Sequence, residues 1–309
     1  MRACLQQDSP PLVEPGDHCR TPHGCEFWDH CTADKPADWI AHLPRLASAR
    51  RQELEVLGIH AISAIPPAFP LTPRQAIIRD ATASGQPYVA PGLAGLLQQF
   101  GPPACYLDFE AMMPPVPLYE GTRPYQTLPF QWSLHTVAAD GTLTHAAFLA
   151  SGTGDPRRAF AQTLIAALDG SRLPIVVYSA YEQTRLQELA RQMPDLAASL
   201  NAIIERLVDL LPVVRGAIYL PASGFSNSIK AVAPALAPGF GYDDLPGIAD
   251  GSSAAAAFLQ AASGALPPSE AASVRSELLA YCERDTLAMV EVHRALVRLS
   301  GSQPDAGSH

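Results

Sequence analysis

The chain has 309 residues, 48% of them hydrophobic, enough for one large globular domain or two smaller ones. Its 21 basic and 30 acidic side chains leave a formal charge of −9, which argues against a protein that grips nucleic acid by bulk positive charge. The first residues carry no apolar secretion core and no run approaches a membrane span, so a cytoplasmic protein without membrane contact is expected.

In chain order the first feature is a set of cysteines, Cys19, Cys25 and Cys31, in a stretch loosened by Gly16, Pro22 and Gly24. Clustered cysteines in a chain without a secretion signal bind a metal more often than they form disulfides, and thiolates suit zinc or iron–sulfur centres. A fourth ligand has to come from elsewhere, with Cys4, His18, His23 and His30 as local candidates. The run Gly16-Asp-His-Cys19 followed by Cys25-Glu-Phe-Trp-Asp-His-Cys31 resembles the C-terminal cysteine tail of RecB-like nucleases. The resemblance implies a [4Fe–4S] cluster. Eighteen residues precede Cys19 and hold no RecB-type core, a departure that leaves two readings: Cys4 closes the site, or residues 1–35 are the relic of a longer ancestral protein.

Residues 36–103 read as a helical linker. Leu43, Leu46, Leu54 and Leu57 before Gly58 predict a helix ended by glycine, and Thr72-Pro73 opens a second one with a capping residue and a first-turn proline. Pro91, Pro102 and Pro103 mark the boundary to the next domain, residues 104–300, which is followed by a disordered tail at 301–309.

The domain begins with a strand, Ala104–Phe109. Leu128–Val137 is a second, and Asp140-Gly141 turns it into a third, Thr142–Leu149. A helix over 155–168, the apolar strand 173–178 and a helix over 181–193 follow, then further helical and loop material. A long helix over 276–299 closes the domain. The fold class this order predicts is α/β: an RNase H-like mixed sheet flanked by helices, with a small helical, cysteine-containing N-terminal region.

Two acids stand out on the first strand. Asp108 and Glu110 are two residues apart and share a strand face, where they repel each other and serve no folding purpose. On the closing helix Tyr281 and Asp285 stand at i and i+4, on one face, at the edge of an apolar stripe. Such acids on a strand and a facing helix suit divalent cations, which take oxygen ligands. Glu182, just after the strand 173–178, is a fourth candidate.

The motifs Asp108-Phe-Glu110, Tyr181-Glu182 and Tyr281-Cys-Glu-Arg-Asp285, in that order, resemble the DEDD exonuclease superfamily, the DnaQ-like branch of the RNase H-like fold. The stretch from Tyr119 to His135 is similar to that of an uncharacterised bacterial family in which this domain follows a RecB-like nuclease, which makes such a nuclease an expected partner. By the resemblance Asp108 and Glu110 form the first motif, Glu182 replaces the usual aspartate of the second, and Asp285 is the last acid. Tyr281 marks the tyrosine subtype, in which the phenol orients the attacking water.

The implied activity is a 3'-5' exonuclease acting on a DNA or RNA end, with Mg²⁺ or Mn²⁺ as a pair of ions about 4 Å apart.

 A single-stranded end, of DNA or RNA, is the expected substrate. Asp108, Glu110 and Asp285 are the implied metal ligands, and Glu182 acts beside them. Arg123, in the loop after the first acids, and Lys230, at a helix start, are candidate phosphate contacts. Asp209 reads as structural and Phe109 as core. The alternative is a degenerate nuclease domain that binds nucleic acid or serves as a scaffold through its cysteine cluster.

Overall fold

A computed structural model of the chain describes residue 6 and residues 13–301, apart from 20, 22, 243, 246 and 249. Cys4 and residues 302–309 of the expected tail lie outside the described residues. The chain divides into two compact units, Met1–Pro87 and Tyr88–His309. No helix among the described residues is long and apolar enough to cross a membrane.

The first unit is helical. A single turn, α1 (Trp28–Cys31), is followed by α2 (Ser48–Val56) and α3 (Pro73–Ser84). Trp28 stacks on Trp39 with ring centroids 6.0 Å apart, and an isolated bridge ties Trp39 to Ala61. The expected helix through Leu43 is shorter than its leucine spacing suggests. Leu43 precedes Pro44 and is held extended, because the proline ring disfavours helical geometry in the residue before it. Helix α3 starts as expected: Thr72 and Gln75 form a capping box, and Gly85 ends the helix with φ +67°.

The second unit is built on a five-stranded mixed sheet. Its strands are β2 (Ala104–Met112), β3 (Leu128–Val137), β4 (Leu143–Leu149), β5 (Ile175–Val177) and β6 (Leu207–Asp209), in the spatial order β4-β3-β2-β5-β6. The first three form an antiparallel meander, with Asp140 turning β3 into β4 by accepting from the Thr142 N–H at 2.9 Å. β5 and β6 then add parallel to β2. A small antiparallel pair, β1 (Tyr88–Val89) and β7 (Ile218–Tyr219), lies apart from this sheet.

Helices cover both faces. On one side α5 (Arg157–Ala167), α6 (Tyr181–Gln192) and α7 (Ala197–Ile204) bury Phe160, Leu164, Leu186 and Leu200 against Cys105, Leu107 and Phe109. On the other, α4 (Leu93–Leu97), α8 (Leu211–Ala217), α9 (Ile229–Leu236) and α11 (Pro268–Leu299) pack on Ala104 and Tyr106. Helix α10 (Gly251–Ala262) closes one end, where Phe258 stacks on Phe130 at 4.0 Å. Each such side chain taken fully out of water contributes about 1.5–3 kcal/mol.

Two elements depart from the sequence reading. β6 was hidden in expected helical and loop material because three half-buried residues carry no measurable periodicity. Helix α11 begins at Pro268, two turns before the expected start, because its first turns are mostly exposed and lack the apolar spacing that marks its buried part.

Candidate metal-binding active site

Strand β2 sorts its side chains by alternation. Cys105, Leu107 and Phe109 face α5 and α6, whereas Ala104 and Tyr106 face α11. Asp108 and Glu110 continue the Tyr106 face, so the chain delivers two carboxylates to the helix that the core below them has already positioned. The strand runs through both acids to Met112, beyond the expected end at Phe109. Its register against β3 steps between Glu110, opposite Gln131, and Ala111, opposite Pro129. An irregularity of this kind re-aims side chains and ends regular pairing beside a site.

Helix α11 brings Asp285. Cys282, Asp285, Met289, Val292 and Leu296 recur at spacings of three and four, and all are buried. Asp285 therefore stands inside the buried stripe and not at its edge, where the sequence places it. Gln131 donates from Nε2 to the carbonyl of Leu278 at 2.7 Å, and Arg275 donates to the carbonyl of Ala150 at 2.7 Å, fixing the helix against β3 and the end of β4.

Glu182 comes from the first turn of α6, directly after β5, and is only 3% exposed. β5 runs parallel to β2, so Glu182 lies at the carboxyl end of these strands, where open α/β sheets form their crevices. A pocket of about 470 Å³ opens there, with Asp108, Glu182, Arg215 and Ser228 among its lining residues.

The four carboxyls disturb one another. Burial, then the charges of Asp285, Glu182 and Glu110, raises Asp108 well above the usual carboxylate range. Burial and Asp285 push Glu110 up to about 8 against the pull of Lys230. Burial raises Glu182 to about 7, and it raises Asp285 as well, although Tyr242, Lys230 and Tyr281 hold the latter down. Four like charges in one buried place cannot all ionise without a compensating cation. Two oxygens, Glu182 Oε2 and Asp285 Oδ1, are buried and have no hydrogen-bond partner among the described residues.

Lys230 supplies the local positive charge. Its Nζ donates to the Tyr281 phenol oxygen at 2.8 Å and lies 4.6 Å from the centre of that ring and 5.5 Å from that of Tyr242. Lys230, the candidate phosphate contact at a helix start, sits in the first turn of α9, after Ser228, with its ammonium on Tyr281. Three neighbours were missed. Cys282 Sγ lies 3.8 Å from Asp108 Oδ2, and burial with the surrounding acids keeps its thiol protonated. Tyr242 and Arg215 arrive from loops and helices with no local signal. Cys282 alone had one, its place between Tyr281 and Asp285 on the helix.

The remaining candidates lie elsewhere. Phe109 is buried edge-on against Phe160, and Asp209 accepts from the Leu211 N–H at 2.9 Å, so both have structural work. Arg123 lines a separate pocket with Arg185 and Arg191. Cys25 and Cys31 are exposed and Cys19 is half-buried. Among the described residues these three do not form a group of ligand atoms within 4.8 Å, so without Cys4 they do not make a cluster site as placed.

A family model described as a domain of unknown function (DUF2779) matches residues 105–228. The match takes in Asp108, Glu110 and Glu182 and stops before Lys230, Tyr281 and Asp285. No curated protein and no solved structure matches the chain.

Proposed function

We propose that this chain is a divalent-metal-dependent nuclease, a 3'-5' exonuclease of the DEDD tyrosine type on an RNase H-like sheet, which hydrolyses phosphodiester bonds at a single-stranded DNA or RNA end. The observation that carries the reading is the convergence of Asp108, Glu110, Glu182 and Asp285 from β2, α6 and α11, with two buried carboxylate oxygens left without partners. The strand order, a meander extended by two parallel strands, supports the fold assignment.

The carboxylates fit Mg²⁺ or Mn²⁺, since they offer oxygen ligands, are largely buried and are electrostatically unbalanced by themselves; the Cys282 thiol stands beside them, its sulfur within 4.8 Å of the ligand oxygens of Asp108 and Glu110. Asp108, Glu110 and Asp285 would hold the ions, with Glu182 beside them. When bound, the ions supply Lewis-acid stabilisation of the negative charge that develops at phosphorus. The chain's own groups do the rest. Tyr281 accepts from Lys230 and turns its O–H towards Asp285, the place where it would align a water. Glu182, buried just beyond the end of β5 on the same pocket as Asp108, is placed to take the proton of that water. The acids sit on a central strand and a packed helix, so their geometry is held by the core.

Purified protein with Mn²⁺ or Mg²⁺, tested on end-labelled single- and double-stranded DNA and RNA, should shorten at least one substrate from its 3' end. Absence of hydrolysis on all four overturns the reading, and binding without hydrolysis turns it towards a nucleic-acid-binding module.

A further inference from the structure

Beside the acids lies a second pocket, of about 560 Å³, that the catalytic reading does not use. Arg123, Arg185 and Arg191 line it together with Tyr125 and Gln126. Three guanidiniums in one concavity are unexpected in a chain of net charge −9. The acid among the lining residues, Glu188, is taken up by Arg185 at 3.2 Å. The guanidiniums of Arg123 and Arg191 have no hydrogen-bond or ion-pair partner among the described residues, and the Nε of Arg185 is buried and unpartnered.

The pocket is joined to the acids through one helix. Arg185 is three residues beyond Glu182 on α6, so the two are neighbours on its surface. The Arg185 guanidinium lies 5.2 Å from the centre of the Tyr181 ring, which immediately precedes Glu182. Arg191 follows about 9 Å further along the axis. Across from α6 the loop between β2 and β3 presents the rest. Reciprocal bonds of 3.1 Å, from the Arg123 N–H to Gln126 Oε1 and from the Gln126 N–H to the Arg123 carbonyl, brace its turn. Tyr125 has φ +58°, a conformation uncommon for a bulky side chain, and is 70% exposed. A strained residue that holds an aromatic ring in water beside three arginines calls for a ligand.

We propose that this pocket binds a phosphate of the strand being hydrolysed, and that Tyr125 stacks on an adjacent base. Forked guanidiniums match phosphate oxygens, and arginines interleaved with an open aromatic face are the means by which single strands are held without sequence preference. The inference rests on the nuclease reading for its substrate class. The phosphate is either a terminal monoester or an internal diester of the strand.

The test is fluorescence anisotropy with labelled single-stranded oligonucleotides, 5'-phosphorylated or 5'-hydroxyl, on the full chain carrying Asp108→Asn to stop turnover. Adding Arg123→Gln and Arg191→Gln should weaken binding at least about tenfold and lower the salt dependence by one to two phosphate contacts. Tyr125→Ala should weaken it by about fivefold or more. Lysine at both arginine positions should restore part of the affinity, and matched melting curves show that each variant folds. A preference for the 5'-phosphorylated strand that disappears with the arginines assigns a terminal phosphate; equal loss on both strands assigns an internal one. Unchanged binding in the glutamine variant overturns the pocket, whether or not the wild type hydrolyses nucleic acid. So does failure of the parent protein to bind any oligonucleotide. Arginine-dependent binding by a protein whose wild type hydrolyses nothing overturns the nuclease reading and keeps the pocket.

Discussion

Lys230 and Tyr281, fifty-one positions apart, meet through a 2.8 Å hydrogen bond from the ammonium to the phenol oxygen, over the same acids that both side chains face. The ammonium therefore fixes the phenol and offsets part of the negative charge of Glu110 and Asp285. Lys230→Met should lower hydrolysis by about 10- to 100-fold, the scale of a lost charge-assisted hydrogen bond. Mn²⁺ affinity should hold or rise, because a cation leaves the site. A parallel loss of Mn²⁺ binding in calorimetry would show instead that Lys230 only holds the site together.

Burial and the charges of Asp285, Glu182 and Glu110 all raise Asp108. Acids with raised folded-state pKa values stabilise the fold at low pH, and that stability is lost as pH rises through the folded values, about 7 for Glu182 and about 8 for Glu110. Asp108→Asn should thus raise the metal-free melting temperature at pH 8 by a few degrees while reducing Mn²⁺ affinity by at least about 100-fold. Unchanged Mn²⁺ affinity sinks the assignment.

Glu182 reaches the site from a helix turn, where side-chain length decides whether the oxygen arrives. Glu182→Gln should remove most activity, and Glu182→Asp should keep a measurable part. If both matched the wild type in initial rates, Glu182 would have no part in the chemistry.

His293 gives an acid-side signature independent of the metal site. Its Nδ1 pairs with the Tyr106 hydroxyl at 2.8 Å, its Nε2 is unpartnered, and burial lowers its pKa to about 4. A depressed histidine stabilises the fold above its unfolded value near 6.5, and the contribution disappears as pH falls towards 4. The loss is on the order of 3 kcal/mol. Urea titrations of wild type and His293→Asn at pH 7 and pH 4.5 should show a smaller drop in the variant. Equal drops would place the titrating group elsewhere.

The cysteines have their own readout. If Cys4 completes the set with Cys19, Cys25 and Cys31, protein purified without oxygen is brown, holds iron and sulfide in near-equal amounts, and is bleached by Cys4→Ser. One zinc in a colourless protein points to a histidine such as His18 or His30 as fourth ligand. Metal-free protein makes residues 1–35 the relic of a longer ancestral protein and leaves the proposed nuclease site untouched.

The sequence by itself determined whatever depends on neighbours along the chain. Two-residue alternation put Asp108 and Glu110 on one face, helical spacing put Tyr281 with Asp285, and Asp140-Gly141 marked the hairpin, because strand and helix periods are local properties of the backbone. Short β6 and the exposed start of α11 left no such trace. Only the tertiary structure decided that Asp285 lies within the buried stripe, that Cys282 backs Asp108, that Lys230 lands on Tyr281, and that Arg123 shares a pocket with Arg185 and Arg191. Those pairs are set by which strand lies beside which and where α6, α9 and α11 cross the sheet. Burial and charge at each residue follow from that packing.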